Sequence, residues 1–194
     1  IYDLASVTKS TATMPAIMYL HEKGIFNIES NVSSFISLPD SSPAGLIQLK
    51  DLLWHQSGLP SVINPYYLLT DSNSYTGKLY HWRKQAPYTI QIDKQVYANN
   101  TTKLRGDLIS SKYDINFGIK ITDKLWATNG IRDTLFNRIA MMKTDEARKY
   151  RYSDVNFVLL QQIVEELSGC KLNDLTDSLF YSPLGMTRTM FCPL

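Results

Sequence analysis

Apolar residues recur at helical spacing near both ends of the chain and alternate with polar ones in its middle. Ala12, Met14, Ala16, Ile17, Met18 and Leu20 predict a helix from Thr8 to about Lys23, stopped at Gly24. Pro15 falls inside it. An interior proline costs about 3 kcal/mol unless the helix yields, so a bend or early break is expected near Thr11 or Ala12. Near the other end, Ser153-Asp154 opens a helix over Val155 to Ser168, with Phe157, Leu160, Ile163, Val164 and Leu167 apolar and Gly169 as its stop. Shorter helices are expected over Ile47–His55, Ile131–Met142 and Leu172–Phe180, the last closed by the turn Ser182-Pro183-Leu184-Gly185-Met186. Ile25 to Leu38 reads as an extended connection with one helical turn. Between Ser61 and Tyr150 the pattern loosens, with strand-like alternation only over Tyr88–Asp93 and Tyr113–Ile121. That stretch, 61–150, reads as an elaborated insertion of the kind that forms the wall or lid of a site.

Composition narrows the classes. At 194 residues the chain is long enough for one ordinary domain, and 44% hydrophobic with 20% charged residues fits a packed globular protein. Its 20 basic and 18 acidic residues form no basic block, which argues against nucleic acid or an anionic membrane as partner. The 12 tyrosines therefore read as core and groove walls rather than base-stacking platforms. No apolar run is long enough to cross a membrane. Cys170 and Cys192 leave a bridge and two free thiols equally open. No His, Cys, Asp and Glu cluster has metal-ligand spacing and no glycine-rich phosphate loop occurs, so no cofactor is expected. A start at Ile1-Tyr2-Asp3 without Met gives the expectation of a piece of something longer.

The candidate chemistry lies at the start. Ser6 and Lys9, three residues apart, share one helical face. A hydroxyl becomes a nucleophile when a neighbour takes its proton, and a dehydrated lysine with a lowered pKa is one such neighbour. Helix N-terminal N–H groups would favour an oxyanion there. The same spacing recurs at Ser168 and Lys171, but there it straddles Gly169 at a helix end, where these residues are ordinary terminators. His21 reads as a helix C-terminal group, His55 has no carboxylate evidently spaced to orient its ring, and His81 has no evident partner.

Leu4-Ala5-Ser6-Val7-Thr8-Lys9, Leu52-Leu53-Trp54-His55-Gln56-Ser57-Gly58-Leu59-Pro60, Tyr152-Ser153-Asp154-Val155-Asn156-Phe157-Val158-Leu159-Leu160 and Ser182-Pro183-Leu184-Gly185-Met186, in that order, resemble the serine β-lactamase and penicillin-binding-protein superfamily. The branch most resembled is that of class C β-lactamases, DD-peptidases and related esterases. The resemblance implies an α+β fold, of which this chain would hold mainly the helical lobe with a few short strands and residues 1–194 a partial hydrolase domain. It makes Ser6 the acylated nucleophile, Lys9 the group that helps deprotonate it, and Tyr152 a general base that later returns the proton. Asp154 occupies the substrate-binding place where the family motif carries Asn; as a carboxylate it only accepts hydrogen bonds, and a helix-capping role is its alternative. Tyr97-Ala98-Asn99 fits the family's Tyr-x-Asn literally, yet Tyr152 is preferred because the motif should precede an amphipathic helix.

The family's Lys-Thr-Gly or His-Thr-Gly motif does not occur in this sequence. The expectation is a serine hydrolase acting on β-lactams, D-alanyl peptides or small esters, in which this piece alone is inactive for want of the sheet strand that aligns substrate. The alternative is a non-catalytic accessory module of a larger cell-envelope protein. By resemblance alone the location is periplasmic or otherwise extracytoplasmic, and an uncovered sheet-facing surface would favour self-association.

Overall fold

The computed structural model describes residues 2–191. The fold is α+β, with helices and two small antiparallel sheets. The chain divides into two compact units, one made of Ile1–Ile63 with Asn137–Leu194 and the other of Asn64–Phe136.

The first unit is built on α5 (Asp154–Ser168), which packs against α1 (Met14–Glu22), α2 (Leu49–Leu53) and α6 (Leu172–Thr176). Its Val155, Leu159, Leu160, Ile163 and Val164 are buried, facing Ala16, Ile17 and Leu20 of α1 and Leu49 and Leu52 of α2 in one core. Gly169, at φ +68°, ends α5 in the left-handed conformation that only glycine adopts freely. A short 3₁₀ turn over Val32–Ser34 interrupts the connection from α1 to α2. α6 passes directly into a π-helical turn, Asp177–Tyr181.

The N-terminal helix is broken as its proline predicts, though not by a simple bend. A 3₁₀ turn, Ala5–Val7, leads into a π-helical stretch, Lys9–Thr13, and α1 begins only at Met14 with Pro15 in its first turn. The π-helical stretch runs directly into α1, with Thr13 in helical conformation, so the missing N–H of Pro15 leaves a carbonyl of the preceding turn without its helical donor. The carbonyl of Thr11, four residues before Pro15, accepts instead from the buried Tyr181 hydroxyl at 3.0 Å.

In the second unit β1 (Tyr80–His81) and β2 (Tyr88–Asp93) flank β3 (Val96–Asn99), while β4 (Ile109–Ser110) and β5 (Ile119–Thr122) flank β6 (Leu125–Ala127). Tyr88 pairs with Asn99 and Gln91 with Tyr97; Ile109 and Ile119 both pair with Ala127. A small core of Leu108, Ile109 and Ala127, with Leu69, Leu125 and Ile131 against it, includes α3 (Pro65–Leu69) and the start of α4 (Ile131–Ala140). Strand structure is confined to the end of the expected Tyr113–Ile121 segment. The Asp114 carboxylate accepts from the N–H groups of Asn116 and Phe117, which folds 114–117 into a tight turn.

Candidate active site

Ser6 stands on the 3₁₀ turn just after Ala5, whose φ of +44° is left-handed and unusual for a residue with a side chain. The Asp3 carboxylate holds that turn by accepting from the Ala5 N–H at 2.8 Å, and Val7 N–H donates to Leu4 O. Among the described residues the Ser6 N–H has no such bond. The wide π-helical turn that follows carries Lys9, whose ammonium donates to Ser6 Oγ at 3.1 Å and to Asp154 Oδ1 at 2.6 Å. Wide turns of this kind are frequent at functional sites.

The opposite side of the cluster comes from the segment entering α5. The Tyr152 hydroxyl donates to Ser6 Oγ at 2.8 Å. Lys9 Nζ also lies 5.1 Å from the Tyr152 ring centre and 5.5 Å from that of Phe157. Ser6, Lys9, Tyr152 and Asp154, separated by up to 148 positions in sequence, thus meet around one hydroxyl oxygen. Tyr152 itself is exposed over 41% of its surface.

Asp154 is the first residue of α5, with Ser153 at the capping position. Its carboxylate therefore faces Lys9 rather than capping the helix. Lys9 has a side chain only 18% exposed, against 50% for Asp154. Burial alone would lower the lysine's pKa, but the hydrogen bonds and charge of Asp154 and Tyr152 outweigh it and hold the ammonium above its ordinary value. The expectation of a lysine with lowered pKa is thereby corrected. Its physical reason is the carboxylate at 2.6 Å.

A hydrogen-bonded zipper fixes this segment to the turn after α2. Arg151 N–H donates to His55 O, Ser153 N–H to His55 Nδ1, Ser153 Oγ to Pro60 O, and Asp154 N–H to Ser61 O. The Arg151 guanidinium donates to the Gly58 and Leu59 carbonyls. Asn156, fully buried, accepts from Ser57 Oγ and donates to Leu52 O. The two sequence segments are thus halves of one mount, which holds Tyr152 and Asp154 in place. The sequence reading passed over Arg151 and Asn156, although both lie within or beside its motifs.

The competing candidates lie elsewhere. Ser168 Oγ is bonded within its own turn to Cys170, and Lys171 pairs with Glu165. Tyr97 and Asn99 belong to β3, where Asn99 Oδ1 accepts from the N–H and hydroxyl of Thr101. His21 Nδ1 bonds the Phe26 carbonyl at 2.7 Å, as befits a group at a helix end. Cys170 is exposed and free, while Cys192 lies outside the described residues. No group of three or more metal-ligating side chains occurs among the described residues, and no helix there is long and apolar enough to cross a membrane.

A hydroxyl, an ammonium and a phenol thus meet on the helical unit of the chain. A family model described as "Beta-lactamase" matches residues 1–147, and the chain belongs to the beta-lactamase family. Over its whole length it is 28% identical to an N-acetylmuramyl-L-alanine amidase of Bacillus subtilis (strain 168). It is 26% identical to an Escherichia coli (strain K12) protein provisionally named a D-alanyl-D-alanine carboxypeptidase. The chain spans 34% of each of these relatives. In fold it is similar to an octameric penicillin-binding protein homologue from Pyrococcus abyssi, with a TM-score of 0.50 at 19% identity, over 94% of this chain and 31% of that one.

Proposed function

We propose that the protein containing this chain is a serine hydrolase that cleaves an amide or ester bond through an acyl-enzyme on Ser6. The observation that carries the reading is the convergence of the Lys9 ammonium and the Tyr152 hydroxyl on Ser6 Oγ, at 3.1 and 2.8 Å. Family membership and the amidase and carboxypeptidase names of the relatives support the same reaction class.

Because Asp154 and Tyr152 outweigh burial and hold Lys9 above its ordinary pKa, the lysine serves as a fixed positive charge rather than as a base. The proton acceptor is then the Tyr152 oxygen, 2.8 Å from Ser6 Oγ, with the Lys9 ammonium beside its ring. Ser6 Oγ bonds to the substrate carbonyl carbon, its proton passes to the Tyr152 oxygen, and the carbonyl oxygen becomes an oxyanion held in part by the Ser6 N–H. When the intermediate collapses the carbon–nitrogen or carbon–oxygen bond breaks, and Tyr152 gives the proton to the departing amine or alcohol. Water then attacks the acyl carbon, loses its proton to Tyr152, and Ser6 leaves with that proton restored. Substrates of the β-lactam, D-alanyl peptide or small ester class suit this sequence, and an extracytoplasmic site suits the relatives' wall-directed names.

The test is hydrolysis of a chromogenic cephalosporin, a D-alanyl-D-alanine peptide and a p-nitrophenyl ester by the full-length protein. Turnover of at least one, lost by roughly 10³-fold or more in Ser6→Ala, is the expected result. Equal turnover by the wild type and Ser6→Ala would overturn the reading.

A further inference from the structure

His55 has no place in the mechanism above, yet it is the most heavily constrained histidine in the chain. It takes a left-handed φ of +56°, a conformation that residues with a side chain rarely adopt. Its ring lies against Tyr152 at 4.7 Å between centres, tilted by 36°, against Phe157 at 5.5 Å, and edge-on to Tyr150 at 6.0 Å. Nδ1 accepts the Ser153 N–H at 3.1 Å, and Asn156 Nδ2 stands 3.4 Å from the same nitrogen. Since both neighbours are donors, the ring hydrogen is assigned to Nε2. Strain persists where the surroundings over-determine it, and here ring contacts and a backbone bond both do so.

We propose that His55 is a positioning residue for Tyr152: its neutral ring, pinned through Nδ1 to the residue after Tyr152, sets the plane of the phenol and thereby its contact with Ser6. Protonation would put a hydrogen on Nδ1 facing the Ser153 N–H, so the pin would be lost. The groups around the ring act in opposition. Burial and the Lys9 ammonium favour the neutral ring, whereas the Asp154 carboxylate favours the charged one, and the balance holds His55 below its ordinary pKa of 6.5. The Tyr150 and Tyr152 phenols complete the titratable surroundings, and the Arg151 guanidinium is turned to the Gly58 and Leu59 carbonyls of the same turn.

The inference rests on Tyr152 as the proton carrier, and its test separates the two. In the full-length protein labelled with ζ-¹³C tyrosine, the Tyr152 signal is identified by its loss in Tyr152→Phe and followed with pH. The expected result is a shift of that signal with a midpoint below 6.5, absent in His55→Phe, which keeps the ring contact but cannot be protonated. A Tyr152 signal that stays flat through the histidine range, or that moves equally in His55→Phe, would overturn the proposal. Fluorophosphonate labelling of Ser6 at neutral pH gives the second readout. His55→Ala should slow it by roughly 10²-fold with folding checked by thermal unfolding, a loss of the size that a small misplacement causes. A folded His55→Ala labelled at the wild-type rate would also overturn it. If the wild type takes no label, the proposed hydrolase reading fails while the tyrosine titration still decides the role of His55.

Discussion

At the scale of single residues the site is governed by Asp154. A carboxylate 2.6 Å from Lys9 gives the lysine a partner that outweighs the cost of its burial, so its pKa is raised and not lowered. For a cation with a raised folded-state pKa, the associated stability is fully present below the unfolded value of 10.5 and is lost as pH rises through the higher folded value. Lys9 therefore stays charged through the neutral range. In Asp154→Asn the opposing carboxylate is gone and burial pulls the other way, so the alkaline limb of the Ser6 labelling profile should move to lower pH. Measurement of the fluorophosphonate rate against pH for both proteins checks this. If neutral Lys9 were the base instead, Asp154→Asn would speed labelling near neutrality.

At the scale of elements, the turn after α2 and the entry to α5 stand or fall together. Gly58, at φ +75°, lies so close to the backbone of Asp145 that an added Cβ would come within 2.7 Å of its nitrogen and nearer still to its oxygen. Gly58→Ala should cost about 2 kcal/mol or more, from the left-handed conformation and the displaced 145 segment, seen as a lowered denaturant midpoint. Tyr181→Phe should cost about 1 kcal/mol, because the Thr11 carbonyl loses its donor while the ring stays packed. An unchanged midpoint in either variant would contradict the packing described for it.

Much at this scale is legible from residue pattern. The α5 helix and its glycine stop follow from period and chemistry, and the break before Pro15 follows from the missing N–H. The π-helical form of that break was not legible, and the donor that meets its Thr11 carbonyl, Tyr181, lies 166 positions beyond Pro15. Strands of two to four residues such as Tyr80–His81 and Val96–Asn99 are too short to show alternation, and only their partners make them strands. Ser6, Lys9, Tyr152 and Asp154 could be named from the sequence by resemblance. The direction of the Lys9 pKa could not, because it is a balance between burial and a carboxylate 145 positions away.

At the scale of the whole molecule, the chain spans about a third of the length of the curated relatives it matches. In the proposed mechanism the Ser6 N–H would be one oxyanion donor, and tetrahedral intermediates are held best by two or more preorganised dipoles. We therefore expect the full-length protein to label at Ser6 at least tenfold faster than the 194-residue chain by itself, a difference that gel fluorescence after a timed exposure would measure. Equal rates would place the complete site within this chain.

The most direct test of the central claim is to trap the covalent species and find the atom that carries it. The full-length protein is exposed to a fluorescent penicillin and, separately, to a fluorophosphonate, then digested and sequenced by mass spectrometry. The account predicts an adduct on Ser6 with at least one reagent, lost in Ser6→Ala and strongly slowed in Tyr152→Phe. An adduct on any other residue, or none in a protein that still turns over substrate, would contradict it.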